Sequence, residues 1–543
     1  MHDHLALELP LSDSSSEEEA SPQEGKDVEA NASRKGPSTP TLEAIRPIGE
    51  ADQGGHDLEK AATTRSNGHG QPVARTVTAL DWTGPDDPEN PHNWSLLLRS
   101  YHAFPPALFA FVTTFGTSVY TPAIAEIIEV FNISRTVAIL PLTFYTLGLA
   151  FGPMISAPIS ETFGRRIVYR VTLPVSMLFT LGAGFSQTFV AFCVCRFFAG
   201  TAGSAVLAVG AGTNADLWPP HIRAVATSLF ITCPFLGPSL GPIIGGFVAQ
   251  YKDWRWTQWT TLFFGVVAYT LSIPMKETYK KSILRTRAKK LNIPGPTRGL
   301  PPGLEGVKFI LTTTVLQPLH MLLMEPIVSL LSIYNAFAFA VLFSFFAAFP
   351  LIFPLVYGFS ISQVGLSFLG IGVGVVFGCI TCIIFDQTIY QKLHVKSVAE
   401  GRHTVAPEHR LYAAMIGSIA IPIGLFWLGW TARPEVHWIS PILASIPFAW
   451  GNVSIFITSG LYLIDIYGPL NGASAMAANG ILRYSAGSVF PLFIVQMYTS
   501  LGIGWATSLL GFISVAMMPI PWIFFKYGSR IRVRSKYEIQ KFG

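Results

Sequence analysis

The chain has 543 residues, of which 50% are hydrophobic and only 13% charged, with a mean hydropathy of +0.44. Such a composition excludes an ordinary water-soluble protein of this size and points to a membrane protein. The net charge of +5 conceals an asymmetry, because residues 1–98 carry 7 Lys/Arg against 18 Asp/Glu while the remainder carries 30 against 14.

Residues 1–98 are rich in Ser, Glu, Gly and Pro, as in LSDSSSEEEASPQEGKD, and hold too little apolar surface to offset the entropy of ordering. They are expected to form a disordered acidic tail. No apolar h-region marks them as a cleaved leader. From Tyr101 onward, twelve apolar runs are each long enough for a bilayer span of about 20 residues. They lie near 103–125, 137–159, 167–187, 189–213, 223–250, 257–275, 328–357, 362–385, 411–431, 437–462, 473–499 and 504–526. The expected fold is an all-α polytopic membrane protein in two six-helix halves, 99–275 and 328–527. A basic connecting loop (276–327) joins them and a basic tail (528–543) follows. With the N-terminus placed in the cytosol, the inward connections and C-terminal tail hold 22 Lys/Arg against four outside, so both termini are expected to be cytosolic. Asn132-Ile133-Ser134 is an N-glycosylation sequon in the first outward loop, although that loop is short and close to the membrane.

The spans hold little ionisable chemistry. Glu126 and Glu129 fall near the outer end of span 1, and Asp216 and Asp465 at inner ends. Arginine is the deep charge: Arg196 in span 4 and Arg483 near the middle of span 11. Each is costly unless it faces a cavity or a partner. In span 4, Arg196, Gly200, Ser204, Ala208 and Gly212 form one stripe that lets a neighbouring helix approach closely. Gly148, Gly152 and Ser156 repeat the pattern in span 2, Gly237, Gly241 and Gly245 in span 5, and Gly370, Gly374 and Gly378 in span 8. The stripes of spans 5 and 8 are expected to meet each other across the halves, with Pro238 and Pro242 bending span 5. Span 7 is crowded with phenylalanine. Asn335, Asn452 and Asn479, with Tyr145 and Tyr484, are candidates to line an aromatic cavity suited to flat, lipophilic or weakly cationic ligands. The five cysteines all fall in apolar segments and read as packing residues. No phosphate-binding loop, zinc-protease motif or nucleophile elbow is present, so neither ATP-driven pumping nor an enzyme is expected.

Several ordered stretches carry a family resemblance over about residues 81–527. They include DPENPHNW (Asp87–Trp94), GPMISAPISETFGRR (Gly152–Arg166), RFFAG (Arg196–Gly200), GPSLGPIIGG (Gly237–Gly246), DWRWTQW and KETYKK around span 6, and AANGILRYSAGSVFPLF in span 11. Together they resemble the major facilitator superfamily, in particular fungal twelve-span drug:proton antiporters that include polyamine and multidrug exporters. The resemblance implies that Gly152, Glu161, Gly164, Arg165 and Arg166, with Asp216, form a cytosolic gating cluster, Glu161 standing where many relatives carry Asp. It implies a role for Arg196 in proton coupling. It also implies that Gly237, Pro238, Gly241, Pro242, Gly245 and Gly246 seal spans 5 and 8. Ala347 departs from the pattern, since fungal relatives often carry an acidic residue there. The proton carrier therefore stays unassigned, with Glu126 as the fallback.

The resulting expectation is a plasma-membrane exporter of small lipophilic or cationic compounds (drugs, antifungals, polyamines or a secondary metabolite) that confers drug resistance. Proton antiport would drive it. It would act as a monomer in the lipid bilayer, with no cofactor beyond the proton gradient, no metal and no nucleic acid. An importer of a small nutrient on the same scaffold is the alternative, and a non-transporting sensor a third class.

Overall fold

Prolines, glycines and short polar caps cut the apolar sequence into helices. The computed structural model describes residues 80–296, 303–401 and 405–537, all within one unit of residues 75–543. The expectation of disorder for residues 1–79 lies outside the described residues, as do 297–302 within the connecting loop, 402–404, and 538–543 in the tail.

The membrane-crossing helices are α1 (Leu96–Phe131), α2 (Arg135–Phe163), α3 (Arg165–Phe185), α4 (Phe189–Leu217), α5 (Pro220–Tyr251) and α6 (Arg255–Ser272) in one half. The other half holds α7 (Pro326–Tyr357), α8 (Ile361–Ala399), α9 (Tyr412–Thr431), α10 (Ile439–Gly468), α11 (471–501) and α12 (503–532). Among the described residues, ten segments are long and apolar enough to cross by length and composition alone, and two observations raise that to twelve. First, Asn471–Arg532 is broken at Gly502, whose φ of 74° and ψ of 163° are not helical. Tyr498 Oη lies 2.9 Å from Thr507 Oγ1, whereas nine residues of straight helix would separate the backbones by about 13 Å, so the chain reverses there. Second, α6 falls outside the ten because it carries Arg255, Gln258 and four threonines, yet it packs against both α1 and α3. Gly468, with φ 63°, makes the equivalent reversal between α10 and α11. No strand occurs among the described residues.

Caps start several helices. Ser95 accepts from Leu98 N–H, Thr188 accepts from Ala191 N–H, and Ser360 with Gln363 forms a capping box on α8. The outward faces are apolar, with Leu178, Phe185, Phe263 and Phe512 all exposed, as lipid contact requires. With twelve crossings, the described segments before α1 and after α12 (80–95 and 533–537) lie on one face, here the terminal face; the other is the opposite face.

Residues 80–98, expected within the disordered tail, are ordered. Asp87 is 3% exposed and grips Arg287 of the connecting helix Lys280–Leu291 through two hydrogen bonds of 2.8 Å, while Arg287 Nε donates to Glu89 at 2.7 Å. Asp87 also accepts from Thr83 and from Glu89 N–H, so one carboxylate organises the whole segment. Tail and loop are thus one assembly on the terminal face.

Candidate functional site

The small-residue stripes do act as close seams, but not with the partners expected. On α5 the Gly237–Gly241–Gly245 row faces α1, not α8. A Cβ on Gly237 would lie 2.1 Å from Thr114 Oγ1, on Gly241 2.1 Å from Ser118 Oγ, and on Gly245 1.9 Å from Val119 O. The Gly370–Gly374–Gly378 row of α8 faces α10, at Ile442, Ile446, Trp450 and Val453. In a six-plus-six repeat α8 corresponds to α2, and Gly148 and Gly152 of α2 likewise press on Phe197, Thr201 and Ser204 of α4. The interface between halves uses a different row. Ser239, Pro242 and Gly246 of α5 meet Gly365, Phe368 and Gly372 of α8, an i, i+3, i+7 set on each helix. Ser239 Oγ donates to Phe368 O at 2.9 Å, and a Cβ on Gly365 would lie 2.4 Å from Pro242 O. The stretch therefore serves two neighbours at once, and Ser239, Pro242 and Gly246 are its cross-half contacts.

Arg196 is 1% exposed and lies between two tyrosine rings, 4.1 Å from the Tyr145 centroid and 5.0 Å from Tyr120. Its Nη2 donates to Thr117 O at 3.2 Å, and Tyr145 Oη donates to Thr113 O at 2.9 Å. Cation–π contact and a carbonyl thus stabilise the charge with no carboxylate beside it, and Nε has no hydrogen-bond partner. Tyr145, expected to line a cavity, is instead a wall of this arginine's site. Glu126 sits elsewhere, near Asp253 and Arg255 at the opposite face. The structure does not bring it to Arg196 or to Arg483.

Arg483 stands in a second aromatic enclosure. Its guanidinium carbon lies 4.2 Å from the Tyr484 centroid, 4.4 Å from Phe456 and 4.6 Å from Phe339, so α7, α10 and α11 all contribute. Phe235 of α5 closes it from the other half, 5.1 Å from Phe456. Arg483 Nε and, one turn away, Asn479 Oδ1 are buried without a hydrogen-bond partner. Asn335 Nδ2 donates to Ser459 Oγ at 2.8 Å while its Oδ1 is unpartnered; Asn452 Nδ2 donates to Ala338 O at 3.2 Å. From this enclosure a ladder of rings, Phe339, Phe343 and Phe346, runs along α7 at 4.4 and 5.1 Å spacings. It ends at the floor of a cavity of about 370 Å³ near the opposite face, between α1 and the α7–α8 corner, whose floor includes Phe346 and Ala347. Among the described residues, Arg135 is the one ionisable group lining it.

On the terminal face Arg165 Nε donates to Asp216 Oδ2 at 3.1 Å, and its guanidinium stacks 4.8 Å from Tyr279. Glu161 is exposed and reaches Arg165 and Tyr279 through its charge rather than a hydrogen bond, while Arg166 Nε is buried without a partner. The missing acid is Glu277, whose carboxylate accepts from the backbone N–H groups of Arg165 and Arg166 and so caps α3. Gly164 makes room for it, adopting φ 101°, where a Cβ would lie 2.3 Å from Glu277 Oε2. Gly152, counted in this cluster, belongs to the α2–α4 seam.

The other half repeats the device without a sequence signal we read. Arg410, at the start of α9, donates to Asp465 at 2.9 Å and Asp386 at 2.6 Å and stacks 3.4 Å from Tyr390. Arg223, at the start of α5, lies within electrostatic reach of both Asp216 and Asp465 and links the two clusters. Glu325, buried at the start of α7, accepts from Tyr467 Oη, Ser535 Oγ and Lys536 N–H, which docks the C-terminal tail. Near the opposite face the halves are joined by Thr143 donating to Ser488 O, by Ser362 N–H donating to Gln250, and by contact of Thr136 with the Gln496 amide. Asn132, the sequon residue, is exposed and caps the last turn of α1 in a left-handed conformation.

Two six-helix halves that meet through α5–α8 and α2–α11 frame this geometry, and the Major Facilitator Superfamily model matches residues 107–491. The chain belongs to the Major Facilitator Superfamily. Members of this superfamily are membrane transporters, not enzymes. Polyamine transporter 4 of Saccharomyces cerevisiae is 43% identical over 482 residues, covering 84% of this chain and 73% of that protein. Efflux pump FUBT of Fusarium oxysporum is 38% identical over 467 residues, covering 83% and 76%. Among solved structures, the superfamily proton:xylose symporter XylE superposes with a TM-score of 0.58 at 18% identity, over 80% of this chain and 97% of that one. At that identity the likeness concerns the fold alone.

Proposed function

We propose that this transporter is an exporter that moves a small lipophilic compound out of the cell while protons enter. The carrying observation is the α5 seam. Close contact with α1 along Gly237, Gly241 and Gly245 fixes α5 within its own half, and Ser239, Pro242 and Gly246 against α8 tie the two halves together through small residues and one serine–carbonyl bond. Such a rigid central seam suits an exporter, which must not leak its cargo back. The name of the Fusarium relative, an efflux pump, supports the direction.

In this reading the terminal face is cytosolic, following the Lys/Arg bias of its connections, and the protein is a monomer in the plasma membrane. The Arg165–Asp216 and Arg410–Asp465–Asp386 clusters act as paired cytosolic latches that exchange during alternating access. Arg196 takes part in coupling, since a desolvated cation held by π-faces and one carbonyl is sensitive to any charge change near it. Azoles and other drug-like compounds fall within the substrate class, so drug resistance is an expected consequence.

Purified protein in liposomes, with inside-out molecules selected and a pH gradient imposed, tests the reading. Substrate accumulation accompanied by collapse of the gradient supports it. Gradient-driven movement in the opposite sense means an importer and overturns it.

A further inference from the structure

We infer that the cargo route of this transporter selects neutral or acidic aromatic molecules and rejects polycations; this rests on the exporter reading only for the direction of movement.

At its inner end the route holds Arg483, 8% exposed, enclosed by Phe339, Phe456 and Tyr484, with Nε unpartnered and Asn479 Oδ1 unpartnered one turn away. A buried guanidinium whose N–H lacks an acceptor is an open donor, and its natural complement is an oxyanion or a carbonyl oxygen. The surrounding rings supply flat apolar faces for an aromatic body. A cation placed among them would meet the same π-faces but also an unneutralised positive charge at contact distance, in a medium far less polar than water.

The ring ladder Phe339–Phe343–Phe346 carries the same logic outward without adding an ionisable group. Ala347 lies about 12 Å beyond Phe339 along α7, on the cavity floor, where it offers no charge. Arg135, the sole ionisable group lining that cavity among the described residues, is again positive. Glu126 does not line it; its neighbours Ile124, Ala125 and Ile128 do. A polyamine needs carboxylates to replace its water. The acids described here lie at the terminal face (Asp216, Glu325, Asp386, Asp465), most already engaged by Arg, Tyr or Ser, or at the rim of the opposite face.

The test is binding to full-length protein in detergent, measured calorimetrically, with 2-naphthalenesulfonate as a permanently anionic aromatic probe, 2-naphthalenemethanol as its neutral counterpart and spermidine as the polycation. The sulfonate is expected to bind saturably and the alcohol more weakly, with no displacement by spermidine. Arg483→Gln should weaken the sulfonate at least tenfold and the alcohol much less, whereas Arg483→Lys should retain most of the sulfonate affinity. Ala347→Glu, which places a carboxylate on the cavity floor, should weaken the sulfonate and create competition by spermidine. That variant, with Arg483→Lys, keeps the test intact if Arg483→Gln does not fold.

Displacement of the sulfonate by spermidine in the wild type overturns the inference. So does sulfonate affinity unchanged in Arg483→Gln, or an absence of sulfonate binding. Because binding needs no gradient, normal sulfonate binding without proton-driven flux would overturn the exporter reading and leave the selectivity inference standing.

Discussion

At the scale of single residues, two arginines occupy the membrane interior, and neither is neutralised by an acid. Arg196 depends on Tyr120, Tyr145 and the Thr117 carbonyl, three partners drawn from α1 and α2 while the arginine itself is on α4. Replacing it by alanine removes the cation but leaves the tyrosines with their own bonds to Thr113 O and Leu142 N–H, so the helices keep their places. We expect Arg196→Ala to reach the membrane in normal amount and to lose gradient-driven transport, with Arg196→Lys intermediate because a point charge cannot stack on two rings. Vesicle uptake normalised to surface protein checks this, and normal uptake by Arg196→Ala would remove the residue from the mechanism. That both arginines sit deep is legible in the sequence, since a charge inside an apolar run stands out. Their partners are not, because aromatic rings in a Phe-rich span look the same whether they face lipid or a guanidinium. Glu277 shows the same limit: it caps α3 from 112 positions away, and only the folded chain brings a carboxylate to those two N–H groups.

At the scale of helices, the recurrent four-residue spacing of small residues correctly marked the close seams and misassigned their partners. Periodicity identifies a face, not the neighbour that covers it. The repeat supplies the missing rule. α8 is the second half's copy of α2, so its glycines pack on α10 as those of α2 pack on α4, and α5 is left to serve α1 with one row and α8 with another. The consequence can be tested position by position. A Cβ at Gly245 would lie 1.9 Å from the Val119 carbonyl oxygen, a backbone atom that cannot swing aside, whereas a Cβ at Gly480 would meet nothing within 4 Å. Gly245→Ala should destabilise the protein by about 1–3 kcal/mol or more through overpacking. Gly480→Ala should be neutral to slightly stabilising, since alanine favours helix. Thermal unfolding of the two purified variants decides it; equal melting temperatures would mean that α1 and α5 are not held as closely as the geometry indicates. Gly241→Leu is expected to abolish transport by the same crowding, at Ser118 Oγ and the Phe115 carbonyl.

At the scale of the whole molecule, the terminal face is held by carboxylates: they pair with cations in the N-terminal segment, the connecting helix and the two arginine clusters, and accept hydroxyl and N–H groups where Glu325 docks the C-terminal tail. The outermost of these, Asp87 with Arg287, fastens residues 81–94 across the connecting helix, with Lys280–Asp81 and the Trp82 ring beside it. Composition pointed to disorder here because the acidic residues were counted without their partners, which lie about 200 positions away in the basic loop. The hydrogen bonds from Arg287 hold the Asp87 carboxyl far below the usual carboxylate range, and the pair correspondingly raises Arg287. A depressed carboxyl stabilises the fold wherever the unfolded chain would already be ionised, above about pH 4, and that stabilisation is lost only as pH falls further, through the folded-state value. Removing one member of so enclosed a pair costs about 3–5 kcal/mol, because the other charge is left behind. Asp87→Asn should therefore lower the melting temperature by the same amount at every pH from 5 to 8, with the gap from wild type closing only in strong acid. Asp87→Asn combined with Arg287→Gln should recover part of the loss, since no buried charge is then stranded. A gap that instead changes as pH falls below about 6.5 would assign the strap's stability to a histidine, with His92, on the same segment and held below the usual histidine range by burial and by Arg223 and Arg99, the first to replace.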